Sequence, residues 1–155
     1  MSGAQFVTPP NRLAEIMRKP GGIVVADAIS RAERNLEAIR PACRADMMGL
    51  LDTCEAALKA MGEAYDEAAV TTLYATAVRG IGAGAVCGAP TVDLALTSLC
   101  DLITHLLARG QHDRKALEVH IQAWRLLMTT ELPEAARETM LEGLRRVSAH
   151  HAPQG

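Results

Sequence analysis

Apolar residues recur every three or four positions along most of this chain, which is the spacing of one face of an α-helix. The longest series begins at Val25 and ends at Met61, and Gly62 follows it. At about 1.5 Å per residue, a straight helix of this length reaches about 55 Å, more than a small bundle covers. We therefore expect one end to project and to offer a surface for self-association. The positions between the two ends are Ile29, Ala32, Leu36, Ile39, Cys43, Met47, Leu50, Cys54 and Leu58.

Pro41 lies inside this long series and has no backbone N–H to donate to the preceding turn. Such a residue either kinks one helix or separates two helices in line. The apolar spacing continues through Pro41 without a break in phase. The pattern therefore favours a single kinked helix.

Two shorter helices are predicted in the middle of the chain. The first runs from about Glu63 to Arg79, and the second begins where Thr91 can cap its N-terminus and ends at Gly110. The expected buried positions are Val70, Leu73, Ala77 and Ile81 in the first, and Val92, Leu96, Leu99, Ile103 and Leu106 in the second.

Two more helices are predicted towards the C-terminus. Asp113 is a suitable N-cap for one, and Pro133 suits the first turn of the other. No segment alternates as a half-buried strand does, so the chain is predicted to be all-α, an antiparallel bundle of four or five helices. The expected buried positions are Leu117, Ile121, Trp124 and Met128, followed by Ala136, Met140, Leu144 and Val147.

The 155 residues are enough for one domain with a real core. We assign residues 1–22 to a tail with a short helix from Asn11 to Lys19, ended by Pro20-Gly21-Gly22. Residues 23–149 are predicted to form the bundle, and residues 150–155 a disordered tail.

Charge and hydropathy exclude several partners and locations. The net charge of -2 gives no broad basic surface for nucleic acid or an anionic membrane. No run approaches the roughly 18 uninterrupted apolar residues that span a bilayer, and the N-terminus lacks the layout of a signal peptide. We therefore predict a cytoplasmic protein that binds neither nucleic acid nor membrane.

The cysteines and histidines form no recognisable metal or catalytic motif. No CxxC pair occurs, and no two histidines lie at the i, i+4 spacing of a zinc helix. Ser98 and His105 lie two helical turns apart, too far for a direct hydrogen bond in a catalytic triad with Asp101. We predict no metal, no cofactor and no catalytic residue. The cysteines Cys43, Cys54, Cys87 and Cys100 are interpreted as buried thiols.

The segment around Gly80 is the most informative part of the chain. Thr72, Thr76 and Arg79 fall on one side of the predicted second helix, and Gly80 lies beside Thr76 without a side chain. This polar stripe with a gap can admit the surface of another protein. The simpler interpretation is a solvated face on which glycine permits close helix packing.

Thr76-Ala77-Val78-Arg79-Gly80 resembles the His-x-x-(Lys/Arg)-Gly signature of histidine-containing phosphotransfer (HPt) domains. The likeness covers about Leu73 to Leu107. It implies that Arg79 offsets phosphate charge, that Gly80 makes room for a response-regulator receiver, and that Thr76 occupies the acceptor histidine's position. Proteins of the alphaproteobacterial CheE kind, encoded with chemotaxis genes, are similar in outline.

The missing histidine implies that phosphate is not transferred. A receiver aspartate is phosphorylated from a phosphoramidate, whereas a threonine phosphate is too stable an ester to pass its group on. The resemblance therefore favours a non-catalytic protein that binds a receiver or a related component of two-component or chemotaxis signalling through Thr72, Thr76, Arg79 and Gly80.

Two alternatives stay open at this point. One is a self-associating structural protein that uses the long helix from Val25 to Met61 to form a homo-oligomer. The other is an active phosphotransferase that uses a different histidine, His105 or His120.

Overall fold

The computed structural model describes Ile16 and residues 21–153, and the part described contains five α-helices and no strand. The predicted all-α bundle is confirmed. The predicted short helix Asn11–Lys19 lies outside the described residues, except that Ile16 is helical. The helices are α1 (Val25–Ala60), α2 (Glu67–Gly80), α3 (Thr91–Arg109), α4 (Arg114–Thr129) and α5 (Glu134–His150).

The chain divides into two compact units, and the boundary between Asn35 and Leu36 lies within α1. In the described part of the first unit, the large apolar side chains Ile23, Val24, Val25 and Ile29 are exposed. The second unit contains the rest of α1 and all the other helices.

Helix α1 continues through Pro41 as one element of 36 residues. The alternative of two helices in line is therefore wrong. In the second unit, Leu36 and Ile39 of α1 are exposed, Cys43 is half-buried against the core, and Met47 is the first fully buried residue of the helix. Leu51 is fully buried, whereas the predicted core residue Leu50 is only half-buried.

Helix α3 is the central element of the second unit and contacts α2, α4 and α5. All five of its predicted core residues are buried, as are the four predicted in α4. Gly110 ends α3, as predicted, and it does so in the left-handed conformation, at φ 59°. The buried residues of α3 are Val92, Ala95, Leu96, Ser98, Leu99, Cys100, Leu102, Ile103 and Leu106.

The composition of α3 reflects its central position. Among the described residues it is the one helix long and apolar enough to cross a membrane by composition alone, with a mean hydropathy of 1.4. Half of that stretch is buried inside the fold. A helix with neighbours on several sides needs such a composition in a bundle as well, because it presents little surface to water.

The helix starts agree only in part with the prediction. Asp113 caps α4, and its carboxylate accepts the Ala116 N–H at 3.0 Å, as expected. Asp66 caps α2 in the same way, which is why α2 begins at Glu67 rather than at Glu63. The prediction for α3 is wrong, since Pro90 takes the cap position and Thr91 is the first helical residue.

Helix α5 buries a different face from the predicted one. Ala136 is exposed, and Met140 and Val147 are only half-buried. Leu141 and Ser148 lie inside together with the predicted Leu144. The helix is rotated so that its inner line passes one residue beyond the apolar series read from the sequence.

Candidate functional site

The four predicted site residues do not share one surface of α2. Thr72 and Arg79 are exposed, whereas Thr76 is only 7% exposed and Gly80 is buried. Successive residues are rotated by about 100° around a helix, so these four residues spread over part of its circumference. Thr76 and Gly80 lie at the end of this arc that faces the core. The predicted stripe of Thr72, Thr76 and Arg79 with a gap at Gly80 is therefore wrong as a continuous surface.

The hydroxyl of Thr76 is already hydrogen-bonded within its own helix. It donates to the backbone carbonyl of Thr72 at 2.8 Å, and the Thr72 hydroxyl donates to the carbonyl of Ala68 at 2.8 Å. Such bonds satisfy a buried hydroxyl where no water reaches it. Thr76 therefore sits where a phosphoryl donor has little access.

Gly80 brings α2 close to its neighbours. A Cβ atom built on Gly80 would lie 3.0 Å from Cδ1 of Leu96 and 3.3 Å from Sδ of Met47. Both neighbouring side chains are buried, so they have little room to move away. This is the helix-packing role that the simpler interpretation gave to the glycine.

The turn after α2 is organised by an acidic side chain that the sequence analysis missed. Oδ1 of Asp93, in the first turn of α3, accepts the backbone N–H of Gly82 at 2.9 Å and that of Gly84 at 3.0 Å. Gly82 has φ 91°, a conformation that other residues rarely adopt. The signal was an aspartate shortly after a glycine-rich run, at a helix N-terminus.

The outward side of α2 carries apolar side chains that were also missed. Tyr74 is 37% exposed, Val78 41% and Ile81 42%, and the exposed Arg79 follows Val78 in the chain. Ile81 was expected in the core, but it caps the helix in an extended conformation and remains exposed. We refer to Tyr74, Val78, Arg79 and Ile81 as the outer α2 face.

Ser98 is hydrogen-bonded to a histidine other than His105. Its Oγ lies 3.1 Å from Nε2 of His120, and Nδ1 of His120 lies 2.9 Å from the carbonyl oxygen of Ala116. The carbonyl can only accept, so Nδ1 carries the proton and the Ser98 hydroxyl donates to Nε2. His120 is 1% exposed, and burial holds its pKa below the ordinary value of 6.5.

His105 is half-buried, and its Nδ1 lies 3.2 Å from the carbonyl oxygen of Ser148, in α5. By the same argument, Nδ1 of His105 donates to this carbonyl. Among the described residues, no three or more His, Cys, Asp or Glu side chains come together in a way that could hold a metal ion.

No family model, curated protein or solved structure matches this chain.

Replacing Asp93 tests its role in the turn. We expect Asp93→Ala to lower the free energy of unfolding by about 1–3 kcal/mol, because two backbone N–H groups lose their acceptor. The exposed Asp101 of the same helix is the matched control, and Asp101→Ala should change stability by less than about 0.5 kcal/mol. Urea denaturation measures both, and equal losses would contradict the assignment.

The buried His120 predicts a pH dependence of stability. Because its folded pKa is lowered, the unfolded chain takes up the proton first, and stability falls as the pH drops below about 6.5 towards the folded pKa. The expected slope approaches about 1.4 kcal/mol per pH unit within that window. Urea denaturation at a series of pH values from about 7.5 to about 5.5, which bracket the ordinary histidine pKa of about 6.5, measures this slope.

The variant His120→Gln should lose this part of the slope, because it removes the titrating ring. Ser98→Ala is the control, since it removes one hydrogen bond but keeps the buried imidazole and should retain the slope. Parallel curves for the wild type and His120→Gln would refute the assignment.

Proposed function

We propose that this chain is a non-catalytic pseudo-phosphotransfer protein that binds a response-regulator receiver, or a related component of two-component or chemotaxis signalling, in the cytoplasm. The observation that supports it is the outer α2 face, where Tyr74, Val78 and Ile81 are exposed on the same helical segment as the exposed Arg79. Arg79 is also the residue that the HPt resemblance aligns with the family's basic position.

The outer α2 face combines the two components that a protein interface needs. Burying exposed apolar side chains such as Val78 and Tyr74 supplies affinity, at roughly 25 cal/mol per Å² of apolar surface. The guanidinium of Arg79 supplies attraction and orientation towards an anionic group such as a receiver's phosphoryl aspartate. Thr72 is exposed too, so its oxygen can still accept a hydrogen bond from a partner.

The surroundings of Thr76 support binding without transfer. Its hydroxyl is buried and donates within the helix, so it is not positioned to attack a phosphoryl group. Even if it were exposed, an alcohol would form a stable phosphate ester rather than the phosphoramidate needed for onward transfer. In the proposed complex, Thr76 and Gly80 act from inside, by holding α2 against the core.

Titration of purified receiver domains tests the proposal. We expect Arg79→Glu to weaken receiver binding at least about tenfold, which corresponds to about 1.4 kcal/mol, because a cation facing an anionic site becomes an anion. Arg146→Glu, the same change at an exposed position of α5, should leave affinity unchanged. Equal affinity of the wild type and Arg79→Glu, or no binding to any receiver, would contradict the proposal.

The same receivers, once phosphorylated, test the catalytic alternative. The proposal expects no acid-labile phosphate on the chain after incubation. Acid-labile phosphate on His105 or His120 would instead favour an active phosphotransferase. His120 would have to leave the interior to react, because both its ring nitrogens are hydrogen-bonded there.

A second candidate function is self-association through the start of α1, in the first unit. Val25 and Ile29 are exposed there, four residues apart on one side of the helix. Exposed apolar side chains at this spacing are typical of a helix that pairs with another helix.

Sedimentation equilibrium tests this candidate. If it is correct, the wild type forms oligomers at high concentration and Ile29→Lys shifts the equilibrium to monomer, because a charge replaces a buried contact. The neighbouring Ser30→Lys adds the same charge to another side of the helix and should leave the oligomer intact. A monomeric wild type at all concentrations would exclude self-association.

A further inference from the structure

Two thiols from distant parts of the chain meet beside the glycine turn. Cys43 belongs to α1, and Cys87 lies near the end of the turn, 44 positions later. Their Sγ atoms are 3.2 Å apart. Both residues belong to the second compact unit, so this contact lies inside one body.

The two thiols differ in access and in hydrogen bonding. Cys43 is half-buried, whereas Cys87 is only 3% exposed. The Cys87 thiol donates to Sγ of Cys43, and the Cys43 thiol points to the carbonyl oxygen of Ala83 at 3.8 Å. A small oxidant approaching from solvent therefore reaches Cys43 first, with Cys87 directly behind it.

The turn is also held against this part of α1 by a second contact. Nε of Arg40, one helical turn before Cys43, donates to the carbonyl oxygen of Val86 at 3.1 Å. Residue 86 is the direct neighbour of Cys87, so the backbone that carries the second thiol is fixed next to the first. A disulfide has an S–S distance of about 2.05 Å, so the two sulfur atoms need to approach by only about 1.2 Å.

We propose that Cys43 and Cys87 are a peroxide-oxidisable thiol pair that closes a reversible disulfide between α1 and the glycine turn. The sulfur of Cys43 attacks an oxygen of a hydroperoxide, the O–O bond breaks, and Cys43 becomes a sulfenic acid. With hydrogen peroxide as the oxidant, the first leaving group departs as water.

The sulfur of Cys87 then attacks Sγ of Cys43, the S–O bond breaks, and the hydroxyl leaves as water with the proton of the Cys87 thiol. Two thiols and one peroxide thus give one disulfide and two waters. A cellular thiol reductant such as glutathione reverses the bond by exchange, and is itself oxidised to its disulfide.

The pKa of Cys87 agrees with this order. Burial, followed by the hydrogen bond to Cys43, raises the pKa of Cys87 to about 12, so Cys87 is a poor first nucleophile. At the second step, the contact of Cys87 with Cys43 compensates for this high pKa, because the reaction is then intramolecular. Burial also raises the pKa of Cys54 to about 12 and that of Cys100 to about 11, which makes these two thiols internal controls.

Peptide mapping of the peroxide-treated full chain tests the proposal. Trypsin releases Cys43 in residues 35–44, Cys54 in residues 45–59, and Cys87 with Cys100 in residues 80–109. We expect the first and third peptides to be joined and to separate on reduction, with fragmentation placing the bond at Cys87. The oxidised chain should remain free of intermolecular disulfides, and its Tm should rise by on the order of 5–10 °C.

Single serine variants test the order of the two steps. Cys87→Ser should accumulate the sulfenic acid of Cys43, which dimedone traps, because the second thiol is gone. Cys43→Ser should leave Cys87 unmodified under the same treatment. Cys54→Ser is the matched control and should form the bond as the wild type does.

Two results would overturn the proposal. One is the absence of the joined peptides at a peroxide dose that fully oxidises free glutathione. The other is a bond or trapped sulfenic acid that maps to Cys54 or Cys100 rather than to Cys43. The wild-type peptide map decides the question even if a serine variant folds poorly.

Discussion

The second unit depends on the burial of α3 against α2, α4 and α5. Nine of the 19 residues of α3 are buried, and these contacts supply the apolar surface that a chain with so few aromatic residues needs for a stable core. The neighbouring helices must come close to α3, and Gly80 permits this for α2, because any side chain there would meet Leu96. That contact determines which side of α2 faces solvent.

The periodicity of the sequence predicted the helices because a helix that buries one face needs apolar residues every three or four positions. A cap depends mainly on its nearest residues, and the predictions for Asp113 and Gly110 succeeded, whereas the one for Thr91 failed because Pro90 takes the cap position. The predicted buried face of α5 was wrong because Ala136 is a small residue that a helix can leave exposed at little cost. Spacing alone does not determine how far a helix is rotated towards the core.

The candidate site was harder to predict for the same reason. Threonine and glycine carry little information about burial, so nothing in the sequence showed that Thr76 and Gly80 face inwards while Thr72 and Arg79 face solvent. The exposed Tyr74 and Val78 were overlooked because they fall between the apolar positions that α2 buries.

Contacts between distant residues could not be found from local patterns at all. His120 meets Ser98 from 22 positions away, and Cys87 meets Cys43 from 44 positions away. Both pairs join different elements of the fold, and neither has a spacing that repeats along the chain. Chemistry of this kind becomes visible only in three dimensions.

Asp93 ties the part of the chain richest in glycine to the helix with the most buried residues. A run such as Gly80-Ile81-Gly82-Ala83-Gly84 has much conformational freedom in an unfolded chain, and folding must remove it. By accepting two N–H groups of the turn, the Asp93 carboxylate holds this segment at two points to the first turn of α3. One side chain of the most buried helix therefore offsets part of the conformational entropy that the glycines lose on folding.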